Sequence, residues 1–107
     1  MNTIKINTDI FAQDAKSELI HRLERVINKK GCLEYERRIA VHYYIELANC
    51  ALMIFFDGNT GEAYSNEGKQ IYQMCCKIYD NACRNNWSEA YIYAKRVREA
   101  LRDCGVA

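Results

Sequence analysis

No proline occurs among the 107 residues of this chain. Proline breaks helix interiors and marks turns and linkers, and average usage is roughly 5%. Its absence permits long uninterrupted helices and leaves no obvious hinge between subdomains. Net charge is almost absent as well, because 15 Lys and Arg face 14 Asp and Glu, for a formal charge of +1. A dedicated nucleic-acid binder is usually clearly basic, so that class loses its simplest support. Long apolar runs are also lacking. The most apolar stretch, Ile45 to Phe56, is interrupted by Glu46 and Asn49 and falls far short of the ~20 residues needed to span a bilayer. The opening Met-Asn-Thr-Ile-Lys-Ile-Asn-Thr-Asp has no apolar core of the kind a secretory signal carries. The expected location is therefore the cytoplasm, with no membrane partner.

Signatures of chemistry are missing too. The chain has no C-x₂-C, H-E-x-x-H, G-x-S-x-G or P-loop. Asp57-Gly58-Asn59-Thr60-Gly61-Glu62 begins like a calcium loop, but Gly68 stands at its twelfth position, where a bidentate Glu belongs. His42 and Glu46 are four residues apart and His21 lies in a separate segment, so no local spacing builds a metal site. Thiol catalysis needs a neighbouring base or a helix N-terminus. Cys32, beside Gly31, comes nearest to that and is better explained as an ordinary core or surface thiol. The pair Glu34 and Glu36 is accounted for by the positive end of a helix dipole. The chain is expected to be no enzyme, with no catalytic residues, no metal and no cofactor.

What is present is the material of one folded domain. Half the residues are hydrophobic, which with so little net charge excludes disorder, and the length suits one core rather than two. Residues 1–107 are expected to form a single helical domain, with 1–8 as an N-terminal arm or short strand. Asp9 reads as an N-cap for a first helix to about Lys30, with Leu19, Ile20, Leu23, Val26 and Ile27 on one face and Gly31 as its terminator. A second helix is expected from Glu34 to Phe56. Ile39, Tyr43, Leu47, Cys50 and Ile54 line one face and Val41, Tyr44, Ala48, Leu52 and Phe55 another, the pattern of a buried central element. A third starts between Glu62 and Glu67, runs to Arg84, and carries Ile71, Cys75, Ile78 and Ala82. Asn85-Asn86 marks a turn, and Asn86 with Glu89 has capping-box spacing. The last helix carries Ala90, Ala94, Val97, Leu101 and Cys104, with Gly105 to end it. The fold class is all-α, a four-helix antiparallel bundle of helical hairpins. The competing arrangement is α+β, with a β-hairpin near residues 52–65 around the Asp-Gly-Asn-Thr-Gly turn.

Residues 58–64 echo residues 85–91 at an offset of 27 positions. The second copy also resembles the turn between the paired helices of a tetratricopeptide repeat, over about 20 residues. The repeat period and closing proline are absent, and similar turn chemistry at two helical hairpins accounts for the echo. The six cysteines, at 32, 50, 75, 76, 83 and 104, fall mostly on apolar helical stripes and are expected to be reduced core thiols.

Two surface features remain. Lys95, Arg98 and Arg102 share a face with Tyr91, and Arg22, Arg25 and Lys29 form a second basic stripe. The eight tyrosines are too many to bury with every hydroxyl partnered, and surface Tyr beside Arg is the composition of protein–protein hot spots. The candidate partner-binding residues are Trp87, Tyr91, Lys95, Arg98 and Arg102. The expected function is a small non-catalytic inhibitor that binds another protein. Its concrete form is an immunity protein neutralising a cognate bacterial toxin, or a phage-type inhibitor of a host defence effector. Near-neutral charge weakens the antidote form, because an antidote to a basic nuclease is usually acidic. The alternatives are a nucleic-acid-binding regulator reading through the last helix, and a zinc- or redox-responsive protein using the cysteines.

Overall fold

The computed structural model of the protein describes residues 4–29 and 42–106. Among them are four helices: α1 (Ile10–Lys29), α2 (Ile45–Phe55), α3 (Asn66–Cys83) and α4 (Trp87–Asp103). α1 packs on α2, α2 on α3, α3 on α4, and α4 closes the ring on α1. The expected all-α bundle is what forms.

Several of the helix ends have a local cause. Asp9 caps α1 as expected, its Oδ1 accepting the Ala12 N–H at 2.8 Å. The buried face of α1 is Ala12, Ala15, Leu19, Leu23, Val26 and Ile27, a stripe of helical period. Ser65 caps α3, its Oγ accepting from Gly68 N at 3.1 Å. The turn from α3 to α4 uses Asn85 at φ 60°, a left-handed conformation that Asn tolerates. The expected capping box at Asn86 does not form. The Asn86 amide instead donates back to Asn81 Oδ1 at 3.2 Å. α4 ends in a Schellman arrangement around Gly105 at φ 75°, where Val106 N bonds Leu101 O at 2.8 Å and Gly105 N bonds Arg102 O at 3.1 Å.

The second helix departs most from expectation. Residues 42 and 43 are helical, Tyr44 sits in a turn, and α2 proper starts at Ile45. The expected start at Glu34, with Ile39 and Val41, lies outside the described residues, as do Gly31, Cys32 and Tyr35. The expected burial on two faces holds only in part. Leu47, Ala48, Cys50, Ala51, Ile54 and Phe55 are buried, whereas Leu52 and Met53 reach solvent. The β-hairpin contracts to one antiparallel bridge, Phe56 with Ala63. The helical ladder runs on to Phe56, whose N–H bonds Leu52 O at 3.2 Å, so pairing across the turn is confined to the residues around Phe56. There Asp57 N bonds Glu62 O at 2.8 Å and Tyr64 N bonds Phe55 O at 2.9 Å.

The N-terminal arm is not a strand among the described residues. Ile4 and Ile6 rest on the core, and Asn7 N donates to Ile54 O at 2.8 Å. That bond satisfies one of the carbonyls that a helix C-terminus leaves without a partner. At the other end of the same helix pair, Arg22 Nη1 donates to Tyr43 O at 2.8 Å. The two bonds fix α1 and α2 as antiparallel neighbours.

Candidate functional site

The strip expected on α4 exists as a row, but its members have different fates. Trp87 is buried, at 8% exposure. Its position continues the inward period of Ala90, Ala94, Val97 and Leu101. The ring packs edge-on against Tyr44 with centroids 5.6 Å apart, and its N–H donates to Asn85 Oδ1 at 2.8 Å. Tyr91 is half-buried, with the Lys95 ammonium 5.4 Å from its ring centroid. Arg98 reaches across to Glu24 on α1 at 3.3 Å. Arg102 is exposed and borders a small cleft of about 240 Å³ between α1 and α4, walled by Ile20, Leu23 and Leu101.

The second basic stripe is engaged within the fold. Arg22 pairs with Glu18 at 3.2 Å and lies 4.2 Å from the Tyr43 ring centroid. The Arg25 guanidinium lies 5.0 Å from the same ring centroid. These guanidinium–tyrosine contacts tie α1 to the start of α2 rather than presenting charge to a ligand. The Lys29 side chain lies outside the described residues.

A feature that the sequence did not announce lies at the opposite end of α1. Ile10 is 72% exposed and Phe11 67%. Across from them, Leu52 and Met53 emerge from the last turn of α2, and Phe56 follows. Phe11, Leu52, Met53 and Phe56 line a groove of about 380 Å³ whose rim is Asn7, Asp9, Asp57, Gly58 and Gly61. Phe56 is held in place by an edge-on contact with Tyr72, centroids 5.3 Å apart. Asp57 organises the rim, its Oδ1 accepting from Asn59 N at 2.7 Å and Thr60 N at 3.0 Å. Those backbone bonds, first that from Thr60 and then that from Asn59, hold the Asp57 carboxyl below its usual pKa. The sequence signal for the groove is a pair of large apolar residues beside the buried positions at each of the two helix ends. Ile10-Phe11 precedes the inward residues Ala12 and Ala15, and Leu52-Met53 falls between the inward residues Ala51 and Ile54.

The thiols have a different character. Cys50, Cys75 and Cys104 are buried, and Cys76 and Cys83 are half-buried. Burial, reinforced by Glu46, pushes the Cys50 thiol up to about 11. Burial raises Cys75 further and raises Cys104 as well. A raised pKa withholds the thiolate, which is the nucleophile and the metal ligand. Among the described residues, no group of three or more His, Cys, Asp or Glu converges to hold a metal ion. No described helix is long and apolar enough to cross a membrane. No protein-family model matches the chain, and no curated protein or solved structure matches it.

Proposed function

We propose that this chain is a small protein-binding domain that acts by occluding its partner, an inhibitor with no chemical step of its own, and that its contact surface is the groove between the start of α1 and the end of α2. The observation that carries this reading is the concentration of exposed apolar side chains there. Ile10, Phe11, Leu52 and Met53 account for most of the large hydrophobic residues exposed on the described surface. Single exposed apolar residues are ordinary, whereas a contiguous group rimmed by polar residues marks an interaction site. The α4 strip supports the reading less. Its tryptophan is buried and its central arginine is paired. An antidote to a toxin and a phage inhibitor of a defence effector are both forms that such an occluding domain takes.

The test is affinity capture from the native cell with wild-type bait and with a Phe11→Ser/Leu52→Ser bait. A protein retained by the first and lost from the second supports the reading. A protein that survives the groove substitutions but is lost with Arg98→Glu/Arg102→Glu returns the contact to α4. A shift of duplex DNA that weakens steeply with salt replaces the proposal with the nucleic-acid regulator.

A further inference from the structure

The rim of the groove has one sign of charge. Among its lining residues only Asp9 and Asp57 ionise. Both are fixed by backbone donors to Oδ1, Asp9 from Ala12 and Asp57 from Asn59 and Thr60. Lys5, whose charge reaches Asp57, rests 5.1 Å from the Tyr64 ring centroid and does not line the groove. Asp14 stands one helical turn along from Ile10 and is exposed. The surface is thus an apolar floor between carboxylates held in place before any ligand arrives.

We infer that the groove receives a segment of a partner protein that presents apolar side chains flanked by Lys or Arg, an inference that rests on the protein-binding reading above. The apolar anchors fill the space between Phe11, Leu52, Met53 and Phe56, and Met53 adapts its shape to them. The flanking cations meet Asp9 and Asp57, which supply register and orientation. Two other occupants fit less well. A second copy of the chain joined across a two-fold axis brings the same patch against itself, which gathers four of these carboxylates at one interface, and like charges at an interface are unfavourable. An anionic lipid surface is repelled by the same two groups. The volume, about 380 Å³, is at the small end for ligand pockets and suits a few side chains.

The experiment is selection of a random 16-residue peptide library, displayed on phage, on the full chain, with counter-selection on Phe11→Ser/Leu52→Ser. Both substitutions replace exposed side chains, and an unchanged circular dichroism spectrum verifies the fold. The expected result is a family of peptides with apolar anchors and flanking Lys or Arg. The synthetic peptides should lose at least tenfold in affinity on the double variant. They should lose about threefold on each of Asp9→Asn and Asp57→Asn, the range of a single exposed ion pair, and weaken further in high salt. Groove-dependent peptides with neutral or acidic flanks overturn this inference and leave the protein-binding reading standing. Absence of any groove-dependent peptide overturns both. Concentration-dependent dimerisation abolished by the double variant, or sedimentation with phosphatidylcholine vesicles abolished by it, overturns the inference in favour of a second copy or of a lipid surface.

Discussion

Gly68 offers a direct test of how closely α2 and α3 approach. It is buried in the first turn of α3, and its N–H caps onto Ser65. A Cβ built there lies 2.9 Å from Phe55 Cβ, 3.0 Å from Cδ1 and 3.1 Å from Cγ. The ring carbons can swing aside, but Phe55 Cβ is attached to the α2 backbone and cannot. Carbon atoms prefer a separation of about 3.5–4.0 Å, so Gly68→Ala must push the two helices apart locally by roughly 0.6–1 Å. Overpacking of this kind costs about 1–3 kcal/mol. The helix-propensity gain of Ala over Gly, up to ~1 kcal/mol in a helix interior, offsets part of that. The expected net loss is about 1–2 kcal/mol, a fall in Tm of roughly 4–15 °C for a domain of this size. Urea unfolding followed by circular dichroism measures it. Gly58→Ala is the control, because nothing lies within 4 Å of its Cβ, and its shift should stay within about 0.5 kcal/mol. Gly61 is open as well but has φ +75°, so Gly61→Ala should lose about 1–2 kcal/mol through the backbone alone. If Gly68→Ala proves as stable as wild type or more so, the close helix approach is not rigid and the reasoning is refuted.

Other consequences follow from the same packing. Trp87→Ala should lose about 3–5 kcal/mol, and the lone tryptophan should emit from an apolar environment in the native state; a small loss with red-shifted native emission would return Trp87 to the surface. A double-mutant cycle on Glu24 and Arg98 should give a coupling of no more than about 1 kcal/mol, because the pair is part-exposed. Stability should fall in alkali. The Cys50 pKa is raised in the native state, so its contribution is fully present below the unfolded value near 9 and is lost as pH rises toward about 11. The slope is at most ~1.4 kcal/mol per pH unit for each such thiol. Urea midpoints at pH 7 and pH 10 check this, and an unchanged midpoint would show that the thiols are not held protonated. Phe11→Ser should leave the urea midpoint within about 0.5 kcal/mol of wild type, since the ring is largely in solvent.

The helical architecture could be read from the chain because its inward residues keep one period. Leu19, Leu23 and Val26 on α1, Ile71, Cys75 and Ile78 on α3, and Ala94, Val97 and Leu101 on α4 are apolar at helical spacing and are buried. Trp87 belonged to that period as well, but its size and its place at a helix start suggested a contact residue. Only the partner ring of Tyr44, distant in sequence, shows why it points inward. Arg22, Arg25 and Arg98 were legible as basic positions, yet whether a charge is free depends on Tyr43 and Glu24, which tertiary packing brings to them. The groove was the least legible feature. It needs the start of α1 and the end of α2 at the same end of the bundle, and no pattern within either segment states that. Gly68 was visible only as the residue that spoils a calcium loop, while its use, the approach to Phe55, depends on a second helix.

The closed ring also has an order of assembly written into its connections. α3 and α4 are joined by a turn of three residues, so their pairing closes a short loop and needs little search. The α1–α4 seam is the opposite case, since the Arg98–Glu24 contact joins positions 74 apart and must wait for nearly the whole chain. Non-local closure is the slow step in small domains, and the seam formed last is the one expected to part first in native-state opening. The cleft between Ile20, Leu23, Leu101 and Arg102 lies along that seam. It therefore marks the place where this bundle should breathe, while the α3–α4 hairpin keeps its amides protected longest.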